Sequence, residues 1–127
     1  MEDVGVTAYH GAAPLMSNKT FVAAAGILAV EAYHMGMARS VVYRMGDAAR
    51  KAANKLSDAR DKLDGPEDVD QGIETNGRAN IVPADADAKA FSRTPQQVLG
   101  IVYLTDKPGV SAGGLYPKGM NGTLRST

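Results

Sequence analysis

Apolar side chains recur at helical spacing through the first 64 residues and lose that rhythm in the remaining 63. Glu2 to Ala13 reads as one helix, stopped by Pro14, whose ring and missing N–H end a helical run. Leu15-Met16-Ser17-Asn18 then forms a turn in which Ser17 or Asn18 is placed to cap the next helix. From Lys19 to about Tyr43 runs the longest apolar segment of the chain, and Gly46-Asp47 breaks it. Ala48 to Leu63 alternates in charge and has few apolar positions. It predicts a solvated surface helix that stops at Gly65-Pro66. Asp64 to Ala90 turns to Asp, Gly, Asn and Pro and predicts a long loop. Helix restarts where Thr94 can cap, Pro95 takes the first helical position and Gln97 completes a capping box, leading into the apolar run Val98 to Leu104. The tail from Pro108 to Gly122 holds five of the fourteen glycines and predicts an irregular covering segment.

The long helix raises the question of a membrane. Phe21 to Met37 is 17 residues, the short limit of a span, and it contains Glu31 and His34, both costly facing lipid. A buried helix in a soluble bundle is the expectation. Ala23, Val30 and Met37 lie opposite the Glu31 face, so the helix is apolar almost all round and demands cover on every side. One helix of 12 residues, one surface helix and one short helix cover it poorly, and an exposed patch of that size marks an interface.

Composition narrows the function classes. At 127 residues the chain suits one domain. The 14 Lys+Arg balance the 14 Asp+Glu, which argues against a nucleic-acid binder and against docking on an anionic membrane. With no Cys, disulfides, zinc-finger chemistry and thiol catalysis are excluded. Aromatics are 6% and Trp is absent, so the core must come from Ala, Val, Leu, Ile and Met. The polar start Met1-Glu2-Asp3 lacks the features of a signal peptide.

Candidate chemistry sits on the first two helices. Glu31-Ala32-Tyr33-His34 is a Glu-x-x-His pair, and its spacing puts both side chains on one helix face. That face continues as Ala24, Ile27, Leu28, Ala38 and Val41, and a carboxylate on an apolar stripe needs a metal ion, a basic partner or a hydrogen-bond network. Glu2 shares a stripe with Val6, Tyr9 and Ala13. Glu2 precedes Pro14 by about 18 Å of helix and Glu31 follows Asn18 by about 20 Å, so an antiparallel hairpin sets them at one height. Glu on one helix and Glu-x-x-His on its neighbour is half of a di-iron carboxylate site of a four-helix bundle, and this oxygen and imidazole set suits iron or manganese. The other half needs a second Glu and a second Glu-x-x-His, which this chain does not supply. A metal-free alternative is a polar island in which Glu31 and His34 satisfy each other, with Glu2 solvated. Tyr9 and Tyr33 suit a redox site or plain packing, and packing is the expectation. His10 is assigned no role. Asp64, Asp68, Asp70, Asp85 and Asp87 do not have the spacing of a calcium-binding EF-hand loop.

Several segments carry a resemblance. Glu2 to Leu15 (EDVGVTAYHGAAPL), Ala25 to His34 (AGILAVEAYH), Leu56 to Gly65, Asn80 to Asp85, Phe91 to Leu99 and Gly113 to Gly122 resemble, in order, the desiccation-related proteins, which carry a ferritin-like domain. The resemblance implies that Glu2 to Ala13 is the third bundle helix and Lys19 to about Tyr43 the fourth. Glu2, Glu31 and His34 then fall where ferritin-like domains place metal ligands. The family's first two helices have no counterpart here, so the chain is either a fragment or completes its bundle with another chain. Members are associated with drying or stress, and many are exported.

The combined expectation is an all-α, ferritin-like helical hairpin over residues 1–64, half of a four-helix bundle with a surface helix. A loop-rich extension over 65–127 follows, with one short helix near 95–104. The metal candidates are Glu2, Glu31 and His34, and the partner is a second copy or another subunit. Ferroxidase or oxidase activity is expected only if a partner completes the site. The alternative is a metal-free accessory subunit of a larger assembly.

Overall fold

A computed structural model describes all 127 residues. Helix α1 (Glu2–Ala12) runs into a 3₁₀ turn (Ala13–Leu15) containing Pro14. Helix α2 (Asn18–Arg44) follows, α3 spans Asp47–Asp64, and α4 spans Pro95–Tyr103. Strands β1 (Glu74–Thr75) and β2 (Arg78–Ala79) form a two-stranded antiparallel hairpin in the loop between α3 and α4. The chain is otherwise all-α, as its pattern predicts.

Local chemistry sets the element boundaries. Ser17, not Asn18, caps α2, its Oγ accepting the Thr20 N–H. Gly46 separates α2 from α3 at φ 96°, a left-handed value that glycine adopts without the Cβ penalty. The capping box at α4 forms as the sequence predicts, Thr94 Oγ1 accepting from Gln97 N–H and Gln97 Oε1 from Thr94 N–H.

Helices α1 and α2 pair antiparallel. Glu2 meets His34 and Asp3 meets Arg39 at one end, while Tyr9 and Ala13 share a cleft with Phe21 and Leu28 at the other. The expected burial of α2 does not hold. Only Ala24, Met35 and Arg39 of its 27 residues are buried, because α1 covers a single face. Val22, Val30, Tyr33 and Met37 stand in solvent, Tyr33 at 76% exposure, so the packing role expected for that tyrosine is not seen. By length and hydropathy α2 would also pass for a membrane span.

The second correction concerns α3. Its alternating charges are not all a solvated face, since Ser57 and Asp64 are buried and Arg60 turns inward. The side chains of Arg93 and Asp64 are fully buried and that of Asp70 nearly so, which makes the centre ionic rather than aliphatic. Arg93 Nε donates to Asp64 Oδ2 at 2.6 Å, its Nη2 to Asp70 Oδ2 at 2.8 Å and its Nη1 to Thr7 Oγ1 at 2.6 Å. Arg60 is bidentate on Asp70, with Nε at 2.6 Å from Oδ2 and Nη2 on Oδ1, and also reaches Asp3. Arg39 donates to Asp3 and to the carbonyls of Gln71, Gly72 and Asn80, pinning the loop to α2. Three arginines and three aspartates thereby join α1, α2, α3, the loop and the lead-in to α4.

Close backbone approaches complete the assembly. Arg93 N–H donates to the Thr7 carbonyl at 3.0 Å, and residues 91–93 cross α1 over Gly11. A Cβ at Gly11 would lie 2.7 Å from the Arg93 carbonyl carbon, so only glycine admits that crossing. A small apolar cluster of Leu99, Val102 and Tyr103 holds the tail through Val110 and Met120. The Tyr103 hydroxyl donates to the Arg125 carbonyl and accepts the Met120 N–H.

Three outcomes follow for stability. Arg93→Met strands the Asp64 carboxylate in a dry interior, leaves Asp70 with Arg60 alone, and is expected to cost about 3–5 kcal/mol in urea unfolding. Lys89→Ala, which breaks an exposed pair with Asp87, is expected to change stability by less than about 1 kcal/mol. Asp61 accepts the Asp70 N–H, while partial burial and then the charges of Asp64, Asp68 and Asp70 push its carboxyl up from 3.8 to about 6. The folded chain thus holds this proton more tightly than the unfolded chain, and stability falls as pH rises from about 4 to about 6. Asp61→Asn is expected to raise Tm at pH 7.5, with the gain shrinking towards pH 4, as thermal melts across that range will show.

Candidate metal half-site

The two helices that carry the sequence candidates bring them together. Glu2 opens α1, and Glu31 and His34 stand one turn apart on α2, facing the start of α1. His34 Nδ1 lies 3.0 Å from Glu2 Oε2; the carboxylate accepts, so Nδ1 carries the proton and orients the ring. The His34 side chain is 56% exposed, and a polar contact that open to water adds little stability. The matched heights inferred from helix rise are therefore found, and Glu2 is engaged rather than solvated alone.

Glu31 lies against Gly5 of α1, which has no side chain to keep the carboxyl away. Partial burial pushes the Glu31 pKa above its ordinary value, the neighbouring Glu2 carboxylate pushes it further, and His34 opposes both. Two carboxylates crowded on one spot form a place where positive charge is wanted. On the other side is a half-open cavity of about 260 Å³, with Gly5 and Glu31 facing Val98, Leu99 and Met120. The C-terminal extension thus supplies an apolar wall to the carboxylate pair, a relation that hydrophobic patterning alone does not reveal.

The donor set of two carboxylates and an imidazole fits iron or manganese. Its count is that of half a centre, and no group of three His, Cys, Asp or Glu side chains is gathered closely enough to hold an ion by itself. His10, assigned no role from sequence, donates its Nδ1–H to the Phe91 carbonyl at 3.1 Å and helps hold the crossing segment on α1. The acidic run is otherwise committed: Asp64 and Asp70 bind arginines, and Asp85 Oδ1 accepts the N–H groups of Asp87 and Lys89 in a turn. A cavity of about 550 Å³ lies away from the half-site, between α3 and the β hairpin, lined by Asp58, Asp61, Asp68 and Arg78 among others.

Comparison with known proteins bears on the fold of the helix pair. Residues 1–44 match the family described as a ferritin-like domain. The chain is 28% identical to the ferritin-like catalase Nec2 of Nesocodon mauritianus, over 95% of this chain and 44% of that protein. It is 33% identical to the desiccation-related protein PCC13-62 of Craterostigma plantagineum, over 76% of this chain and 36% of that protein. The chain spans less than half the length of either relative. No solved structure matches it.

Proposed function

We propose, from the premise that residues 1–44 are a ferritin-like helical pair, that this is a desiccation- or stress-related protein whose hairpin contributes half of a di-metal carboxylate centre. The observation that carries the reading is the meeting of Glu2, Glu31 and His34 from two antiparallel helices beside an uncovered apolar face of α2. A second copy supplies the missing half. Two hairpins related by a two-fold axis present Glu plus Glu-x-x-His twice, and the same contact buries Val30 and Met37 of each α2.

In such a pair Glu2 and Glu31 hold the metal through carboxylate oxygen and His34 through its imidazole. Iron or manganese, when bound, supplies one-electron exchange with dioxygen or peroxide. The residues of this chain do the rest. Glu2 and Glu31 repel one another while no cation lies between them, and Val98, Leu99 and Met120 give the pair an apolar neighbour on one side. One relative is named a catalase, so hydrogen peroxide is the first substrate to offer the loaded protein, ahead of ferrous iron with dioxygen. A metal-free accessory subunit is the second reading, favoured by the open donor set of a single chain.

Native mass spectrometry of the protein with manganese or ferrous iron separates these. The expected result is a dimer carrying two ions, and a dimer without ions for Glu31→Ala. His34→Ala is expected to lose metal and keep the dimer. Equal, near-zero metal in wild type and Glu31→Ala removes the metal reading and leaves the accessory subunit, while a strictly monomeric protein removes both.

A further inference from the structure

We infer that Gly5 is a positioning residue of the half-site, kept without a side chain so that the Glu31 carboxylate can lie on α1. This inference rests on the metal reading above and adds a residue to it. Five glycines sit inside α-helices, and the space at each differs. At Gly26 and Gly36 on α2 an added Cβ meets nothing within 4 Å. At Gly11 and Gly100 it meets backbone, the Arg93 and Leu63 carbonyls, so these two serve close chain crossings. At Gly5 the three nearest atoms all belong to one side chain, Glu31, with Cδ at 2.7 Å, Cγ at 3.3 Å and Oε2 closer still.

Backbone conformation does not call for glycine there. Gly5 lies in the second turn of a regular helix and is not among the glycines with positive φ. Glycine disfavours a helix interior relative to alanine, so its presence in α1 runs against local propensity. What it provides is volume, and a candidate metal ligand occupies that volume. The overlap at Gly5 is with the far end of a flexible side chain, which can turn away. Added bulk therefore displaces the carboxylate while leaving the helix pair intact. The same position faces the apolar cavity below α4, so a methyl group would also narrow the space where the carboxyl now sits.

Gly5→Ala separates position from stability. The variant is expected to fold with a Tm equal to or above wild type, because alanine favours the helix. Its affinity for manganese, measured by titration calorimetry on the whole chain, is expected to fall about tenfold or more, the range seen when a support for a metal ligand is lost. In the metal-free protein the side-chain carboxyl carbon of Glu31 is expected to shift in the NMR spectrum. Unchanged manganese affinity together with an unshifted Glu31 signal overturns the inference and leaves the metal reading standing. A clear drop in Tm also overturns it, since Gly5 would then serve backbone packing like Gly11. No manganese binding by the wild type overturns the metal reading and this inference with it.

Discussion

The buried guanidinium of Arg93 is the constraint on which the rest of the structure depends. A charge taken fully out of water must be matched in place, and Arg93 is matched by Asp64 from α3, Asp70 from the loop and Thr7 from α1. Two of these partners are themselves tied elsewhere, Asp70 to Arg60 and Thr7 to the carbonyls of Asp3 and Val4, whereas Asp64 depends on Arg93 alone and its Oδ1 has no hydrogen-bond partner. The arrangement has little tolerance for sliding, because a small shift would leave a buried carboxylate without its donor. A small aliphatic core is compatible with such a centre, since directional contacts fix the register that hydrophobic packing leaves loose.

The half-site sits at one margin of this frame. Asp3 neighbours Glu2 in sequence and is gripped by Arg39 and Arg60, which fixes the first turn of α1 against α2. Glu2 and Gly5 inherit that placement, as do Glu31 and His34 through Arg39 further along α2. The placement of Glu2, Glu31 and His34 at the exposed end thus descends from ion pairs in the interior, and the extension after α3 takes part by carrying Asp70 and Arg93.

Much of this was legible in the sequence, for physical reasons that differ from part to part. Helices α1, α2 and α4 were readable because capping, proline and apolar spacing act within a few residues. The meeting of Glu2 with Glu31 was readable because helix rise converts residue number into distance. The buried role of α3 was not, since Arg60 and Asp64 look the same in a string whether they face water or one another. Their partners lie 10 and 29 positions away, and no local pattern marks an aspartate in a loop as the counter-ion of a distant arginine. Gly5 was hidden for a similar reason: a missing side chain shows its purpose only when the neighbour filling the space is known. The exposed face of α2 was foreseen as uncovered surface, although the single-chain structure leaves more of that helix open than a buried core helix would allow.

The crossing of residues 91–93 over Gly11 links positions more than eighty residues apart. A chain tied in this way has no internal seam. The hairpin cannot be exchanged for another by recombination near residue 64 unless the newcomer brings a glycine and a threonine at matching places. The extension, for its part, cannot be grafted onto an unrelated bundle without losing the carbonyl and hydroxyl that receive it. Helical pair and extension therefore form one structural unit, in which a change on either side of the crossing must be matched on the other.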